Sequence, residues 1–582
     1  MSTDPAVLVP GSPASIDAAI RGWRARAGRA DDNGAALAKV GTPEGWKGSA
    51  PAAFARHVRK VSASWKPLHE SLTVASAALQ EYNSTLSWAR DQAGIAIDTW
   101  LQALQADASA PLLPTTQADA TRAETLREKA WSILRHAQSR VAEAGDRAAG
   151  IIRTAAAQPT LSPEGWQRVA ERVSTSEQAA TLLASLSAAD IDDVLAARPD
   201  LVALLKQLDA AAVNRWWTGL SVAAQNALVV SASEAVGTLE GIPFDARDKS
   251  NRRALAQRLR DAEGEIADAE TPLPLTPPPT AVDIGEHQRR LKAAREELEA
   301  LRGVRDGLES DADRPSRLLV SLTVDHPPLA AVAIGNPDTA DNVTIAVPGM
   351  TSEAANMREW AQSCENLHDE QVTIDPSRTH SVIAWIGYRA PSSPASGDFS
   401  VLGNEDALKG ADRLNRALLG VDAVNSGATM NLLGHSYGST TSSIALAGGP
   451  LRVDTFVAIG SAGFPSEIDQ ASDLNADAVF AGQATDVPPL IGASGDDLAW
   501  IGRISHHPSN PMDPEFGARP FGTGDGGGTL VPVGSHSTST AEGDGYLDRG
   551  TESLANIARA TTGHGEQITP PTSRRWIEDD PY

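Results

Sequence analysis

Residues 431–447 read NLLGHSYGSTTSSIALA, and this stretch decides the fold of the C-terminal half of the chain. An apolar run ends at Gly434, Ser436 stands two positions later, Gly438 follows two positions after it, and a helix-like sequence begins. In a G-x-S-x-G turn between a strand and a helix, the serine takes strained backbone angles and its hydroxyl is lifted out of the sheet. Larger residues at the two glycine positions would meet the neighbouring strand and helix. The stretch therefore predicts that Ser436 is a nucleophile; the alternative is a tight glycine turn with an idle serine.

The sequence after Arg317 alternates between short apolar runs and stretches of helical or loop character. Eight of the runs predict β-strands: RLLVSLTV, LAAVAIG, NVTIAVPGM, SVIAWIGY, TMNLLGHS, VDTFVAIGS, AVFAGQATD and TLVPVGSH. Because the later runs are separated by helices, we expect a mostly parallel central sheet with helices on both faces. The N-terminal half reads as a large all-α region that precedes this sheet.

A serine hydroxyl is a poor nucleophile without a base, so the rest of the C-terminal half must supply one. In the α/β-hydrolase fold the chain order is serine, then acid, then histidine. The acid follows the second strand after the serine turn, and the histidine follows the last strand. Asp486 ends AVFAGQATD and His536 ends TLVPVGSH, at the carboxyl ends of predicted strands, where such sheets place their sites. We therefore predict a triad of Ser436, Asp486 and His536.

Other late residues compete for these two roles. The rival bases are His506, His507 and His564, and the rival acids are Asp496, Asp497 and Asp513. The first two histidines stand in a loop sequence with no strand before it, and the third lies beyond the last predicted helix. His435 is next to the nucleophile, but we expect its side chain to point away from the serine and to support the turn.

Two backbone N–H groups are expected to bind the oxyanion that forms during acyl transfer. One is the N–H of Tyr437, directly after the nucleophile. The second comes from the sequence TIAVPGMTSE, where Gly349 allows a close backbone approach and Met350, or alternatively Thr351, is the donor. This chemistry calls for no metal ion and no organic cofactor.

The first half of the chain predicts long amphipathic helices. Trp46-Lys47-Gly48 forms a predicted turn between two of them. The second helix carries an apolar stripe at steps of three and four residues, formed by Leu79, Tyr82, Leu86, Ala89, Ala93, Ile97, Trp100 and Leu104. This layout resembles the WxG-type proteins of type VII secretion. Their tyrosine-x-x-x-acid export signal is absent, because Leu86 stands four residues after Tyr82.

That resemblance implies a helical partner for the hairpin and export by a route other than Sec. A hairpin that only packs or dimerises is the alternative. The N-terminal sequence MSTDPAVLVPGSPAS has no basic segment or long apolar core, so it does not read as a Sec signal peptide. We therefore expect a cytoplasmic protein, or one secreted by a non-Sec route, with no transmembrane segment.

Charge excludes some classes of partner. The net charge of the 582 residues is −24, which disfavours binding to nucleic acid and to anionic membranes. The single cysteine, Cys364, allows no intramolecular disulfide.

Four parts are predicted along the chain: a WxG-like hairpin at 1–110, a helical domain at 111–270, a proline-rich connector with an amphipathic helix at 271–315, and the catalytic domain at 316–582.

Taken together, several motifs resemble an α/β-hydrolase family of high-GC Gram-positive bacteria. They are WWTGLS, GIPFDARDKSNRRAL, VPGM, NLLGHSYGSTTSSIAL, VAIGSAGF, HHPSNPMDPEFGARPF, and GSH with GYLDRGTESLANI. The resemblance implies a serine hydrolase and supports Ser436, Asp486 and His536, but it implies no particular substrate. We expect cleavage of small-molecule or lipid carboxylic esters. The alternative is a secretion-system or interaction protein, or an exported lipolytic effector, in which the helical half is the functional part.

Overall fold

The structure, a computed structural model, describes residues 2–41, 50–108, 117–156, 163–270, 281–310, 314–393, 397, 400–484 and 506–571. The chain divides into two compact units, Met1–Val169 and Ala170–Tyr582. The predicted Trp46 turn and the proline-rich segment 271–280 lie outside the described residues. The fourfold division of the chain proposed from sequence therefore stays a prediction.

The first unit is helical. Its helices are α1 (Pro5–Leu8), α2 (Pro13–Ala38), α3 (Ala50–Ala108), α4 (Gln117–Ala156) and α5 (Pro163–Ala170), which ends at the boundary with the second unit. Ser12 caps α2 through its side chain, and Pro13 occupies the first turn, where a missing N–H costs nothing.

The apolar stripe predicted on the second helix forms much of the core of this unit. Leu86, Ala89 and Ala93 of α3 are fully buried, and they pack with Leu134 and Ala137 of α4. Small side chains at these positions let the two helices approach closely over a long contact. Within the described residues, no helix is both long enough and apolar enough to cross a membrane.

The second unit begins with short helices and continues into the sheet. Its helices are α6 (Ser176–Ser185), α7 (Ala188–Ala197), α8 (Leu201–Leu204), α9 (Ala210–Thr218), α10 (Val222–Ser231), α11 (Ser233–Gly237), α12 (Phe244–Glu270), α13 (Ala281–Gly307), α14 (Met357–Ile374), α15 (Glu405–Val424), α16 (Tyr437–Gly448) and α17 (Glu552–Thr561). Short 3₁₀ helices cover Leu205–Gln207, Ala354–Asn356, Ser400–Leu402, Ala471–Asp473, Pro514–Phe516 and Gly565–Gln567.

A single sheet forms the centre of this unit. Its strands are β1 (Arg317–Leu322), β2 (Ala330–Ile334), β3 (Asn342–Val347), β4 (His380–Ile386), β5 (Thr429–His435), β6 (Val453–Ile459), β7 (Ala476–Gly482) and β8 (Arg519–Phe521). The strand order is β1-β2-β4-β3-β5-β6-β7-β8. β2 is antiparallel to β1 and β4, and all other neighbours are parallel. The predicted fold class is confirmed: a mostly parallel sheet preceded by a helical region.

Both faces of the sheet are covered. One core contains α13, α14 and α17 side chains, and the other contains α15 and α16 side chains. Strands buried on both faces read as continuous apolar runs, which is why β3 and β4 were recognisable from sequence. The carboxyl ends of β3 and β5 meet at one edge, since Val347 pairs with Gly434.

The last predicted strand was wrong. TLVPVGSH contains no strand; it holds only an isolated bridge between Val531 and Thr551. Strand β8 instead covers Arg519–Phe521, parallel to β7. Pro532 has no N–H to donate, so the apolar pattern around it could not continue a ladder. His536 therefore lies in a loop.

Candidate active site

The serine turn has the geometry that its glycines predict. Ser436 has φ 53° and ψ −128° and stands between β5 and α16. A left-handed φ is strained for a residue with a Cβ, so the surrounding contacts must hold it. The Ser436 N–H donates to the Ile459 carbonyl at 3.0 Å, and the Ser439 hydroxyl donates to the Ser436 carbonyl at 2.6 Å.

The two glycines are required by their neighbours. A Cβ added at Gly434 would lie 2.6 Å from the Cα of Ser439, and one at Gly438 would collide with the carbonyls of Val347 and Pro348. Backbone atoms cannot move aside as a flexible side chain can. Both positions therefore admit only a hydrogen in place of a side chain.

His536 meets the serine directly. Its Nε2 lies 2.7 Å from the Ser436 Oγ, so the hydroxyl can donate to the ring nitrogen. Ser436 is 3% exposed, which keeps its hydroxyl at the floor of a cavity rather than in bulk water. The structure thus brings together the predicted nucleophile and the predicted base, which are 100 residues apart in the chain.

His435 contacts His536 in addition to supporting the serine turn, which is the role that its sequence position predicts. Its Nε2–H donates to the His536 carbonyl oxygen at 2.7 Å, and the two rings lie 5.0 Å apart. The histidine before Ser436 therefore holds the backbone of His536, whose ring contacts Ser436. No sequence signal indicated this contact, because His536 arrives on a loop of irregular backbone.

The predicted acid is not among the described residues. Asp486 lies outside them, as do its rivals Asp496 and Asp497, so the assignment of Asp486 stays a prediction. The described rival, Asp513, is exposed, and its Oδ1 accepts a hydrogen bond from the Asn510 side chain at 2.9 Å. That local turn gives Asp513 a structural role.

The rival histidines make other contacts. His506 Nδ1 lies 2.9 Å from the Leu402 carbonyl oxygen, and His564 Nδ1 lies 3.1 Å from the Thr562 hydroxyl. His507 is fully buried, with its ring 5.7 Å from that of Tyr437. Burial lowers the pKa of His507 to about 4, so its imidazole is neutral at pH 7.

The predicted oxyanion donors lie on two sides of the serine. Tyr437 is the first residue of α16, where backbone N–H groups have no partner within the helix. Met350 lines the same cavity as Ser436. The N–H of Thr351 donates to the Pro391 carbonyl at 2.9 Å, which leaves Met350 as the better second donor. A Cβ at Gly349 would lie 2.6 Å from the Ser436 Cβ, so this loop passes directly against Ser436.

The cavity over the serine has a volume of about 440 Å³. Its walls are the loop 348–352, one side of the first turns of α14, and residues 537–539 after His536. Sequence reasoning missed the last two walls. A polar stripe at helical spacing directly after the loop 348–352, from Asn356 to Ser363, is the signal that would have found α14. Among the described residues, no group of three or more potential ligand side chains could hold a metal ion.

This sheet order, with a strained serine between its central strand and a helix, defines the α/β-hydrolase class of fold. Sequence comparison agrees. A model of the alpha/beta hydrolase family matches residues 325–488, a stretch that contains Ser436 and ends before His536. A second model, for a candidate secretion signal domain of the type VII system (T7SS), matches residues 1–164.

Relatives with similar sequences occur in mycobacteria. The uncharacterized protein Rv2079 of Mycobacterium tuberculosis is 27% identical over 376 residues, which cover 61% of this chain and 56% of the relative. This chain thus spans about half the length of that relative. The uncharacterized proteins Rv0963c of M. tuberculosis and Mb0988c of Mycobacterium bovis are each 30% identical over 239 residues, covering 38% of this chain and 78% of each relative. The chain belongs to this α/β-hydrolase family, and its helical N-terminal part carries the secretion-type domain.

Proposed function

We propose that this protein is a serine hydrolase that cleaves carboxylic esters through a triad of Ser436, Asp486 and His536. The observation that carries the proposal is the 2.7 Å contact between Ser436 Oγ and His536 Nε2. It occurs beneath a cavity, at a residue whose strained backbone angles the fold maintains. Nucleophile and base within hydrogen-bond reach are the signature of nucleophilic acyl transfer.

The reaction follows from these positions. His536 accepts the proton of Ser436 as the serine oxygen attacks the ester carbonyl carbon. The N–H groups of Tyr437 and Met350 stabilise the negative oxygen of the tetrahedral intermediate. The alcohol leaves with the proton from His536, and Asp486 holds the imidazole in orientation. A water molecule, deprotonated by His536, then attacks the acyl-enzyme and releases the carboxylic acid.

Labelling with a fluorophosphonate probe tests the nucleophile. The wild type should react, and Ser436→Ala should lose both labelling and turnover, the latter by roughly 10³–10⁶-fold. Ser442→Ala is the matched control, because it removes from the same helix a hydroxyl that has no hydrogen-bond partner among the described residues. If Ser436→Ala is labelled like the wild type, residue 436 is not the nucleophile.

Measurements of turnover identify the acid of the triad. Replacing the aspartate that orients the base should lower kcat by about 10⁴-fold, because the imidazole then takes the wrong tautomer. We expect that loss for Asp486→Asn and no comparable loss for Asp513→Asn. The reverse result would transfer the role to Asp513.

We also propose that the helical N-terminal part directs export by a non-Sec route. The match of residues 1–164 to a T7SS secretion signal domain supports this second function. It is compatible with the hydrolase proposal, because the two concern different parts of the chain.

A further inference from the structure

One side of α14 facing the catalytic cavity is polar. Asn356 is the N-cap of α14, and Glu359, Trp360 and Ser363 lie within the helix; the steps of three, one and three residues place the four on one face. All four line the cavity above Ser436. Asn356 and Glu359 are exposed, as polar residues of an amphipathic helix ordinarily are, whereas Ser363 is a buried polar residue and needs a different reason.

Trp360 shows that this face is not simply solvated. The residue is 5% exposed, and within the described part of the chain its buried indole Nε1–H has no hydrogen-bond partner. A buried N–H without a partner is costly, and a ligand that accepts a hydrogen bond from it removes the cost. Ser363, 1% exposed, adds a hydroxyl to the same face. Glu359, one helical turn earlier, is exposed at the same wall and supplies a carboxylate acceptor.

A second wall continues the same chemistry. Residues 537–539, Ser-Thr-Ser, follow His536 and line the cavity. The Ser539 hydroxyl already donates to Asp548 Oδ1 at 2.6 Å, but a long alkyl chain between these walls would remove the hydroxyls of Ser537 and Thr538 from water and offer them no partner. A group that carries its own hydroxyls would satisfy both walls.

The mechanism indicates which part of the ester, the acyl group or the alcohol, contacts the polar walls of the cavity. The departing alcohol takes its proton from His536, so its oxygen must lie beside His536 Nε2. The residues that come directly after His536 are then the nearest wall to the alcohol. The polar walls therefore recognise the alcohol part of the ester.

We propose that the substrate is the ester of a polyhydroxylated alcohol, such as an acylated sugar or polyol. Water cleaves it to the carboxylic acid and the free polyol. Ser363 and Glu359 bind hydroxyl groups of the polyol. This inference rests on the proposed esterase function and names the substrate class of the same site.

Two substrates test the polyol proposal: methyl 6-O-acetyl-glucoside and hexyl acetate. Both are acetates of a primary alcohol, and the two alcohols have similar numbers of carbon atoms. The full-length wild type should have a kcat/KM at least about tenfold higher for the glucoside, which corresponds to one or two hydrogen bonds. Glu359→Gln should lower the ratio of the two kcat/KM values by about tenfold, and Ser363→Ala by about threefold. Glu370→Gln removes the same charge from α14 away from the cavity and should leave the ratio unchanged.

The outcomes separate the two proposals. A wild type that fluorophosphonate does not label contradicts the esterase function itself. A labelled wild type that prefers hexyl acetate, or that hydrolyses neither acetate, overturns the polyol assignment alone. If Glu359→Gln and Ser363→Ala lower both kcat/KM values equally, the two residues support the structure and do not bind the alcohol.

Discussion

Gly349 illustrates how a single position can control Ser436 from a different strand. The residue follows β3, and a Cβ there would lie 2.6 Å from the Cβ of Ser436 and 3.1 Å from its Oγ. Real Cβ atoms essentially never approach so closely, so one of the two groups must shift. The strained turn at Ser436 cannot move easily, because Gly434 and Gly438 are themselves packed against backbone.

Gly349→Ala should therefore displace the serine hydroxyl from His536. We expect the fluorophosphonate labelling rate to fall at least about tenfold, because a displacement near 1 Å in a reacting group has effects of this size or larger. The free energy of unfolding should fall by about 1–3 kcal/mol through overpacking, measured by urea denaturation. Gly427→Ala is the control, since nothing lies within 4 Å of its added Cβ. Equal labelling rates for Gly349→Ala and the wild type would mean that the loop 348–352 moves aside without displacing Ser436.

At the scale of elements, α14 connects the cavity to the rest of the sheet. Its Glu365, 2% exposed, accepts from Arg317 at the start of β1, with Arg317 Nη2 2.7 Å from Glu365 Oε2. The Asn366 side chain donates to the Leu547 carbonyl at 2.9 Å, in the segment that follows His536. The Leu547 N–H donates to the Thr538 carbonyl at 2.8 Å, so α14 is tied to the segment that lines the cavity after His536.

Breaking the buried pair should be costly. Arg317→Met leaves the buried Glu365 carboxylate with only the more distant Arg314, at 3.6 Å, and we expect a loss of about 3 kcal/mol in unfolding free energy. Arg317→Met combined with Glu365→Met should recover at least about 1 kcal/mol, because no unpaired charge remains buried. Arg452→Met, which breaks an exposed pair with Asp477, should cost less than about 1 kcal/mol. A double variant less stable than Arg317→Met would show that the pair is not replaceable by apolar contacts.

The failure of the last predicted strand also belongs to this scale. TLVPVGSH has the apolar content of a strand, but its backbone hydrogen bonds do not form a ladder with a neighbouring strand. The Val533 N–H donates to the Thr523 carbonyl, and the Gly534 N–H donates to the Asp544 carbonyl. The pattern of apolar residues indicates that a segment is buried, but it does not indicate which other segment of the chain pairs with it. The prediction of His536 as the base relied on that strand as well as on chain order. The strand does not form, and a loop brings the His536 ring to Ser436 instead.

At the scale of the whole molecule, a T7SS-type helical part and an α/β-hydrolase part occur in one chain. The combination suggests a hydrolase that acts after export. In a mycobacterial host with an active type VII system, we expect the tagged full-length chain in the culture medium. In a strain that lacks the system it should stay with the cells, and a cytoplasmic marker protein controls for lysis. Equal amounts in both media would contradict export by this route.

By itself, the sequence determined the fold class, the nucleophile turn and the long helices, because each is written in local chemistry: glycines at a sharp turn, apolar runs, and helical periodicity. The tertiary structure alone decided that His435 holds His536, that Thr351 N–H is engaged elsewhere, and that α14 lines the cavity with polar groups. These are contacts between segments far apart in the chain. Their partners depend on how the sheet brings strand ends together, which no local pattern records.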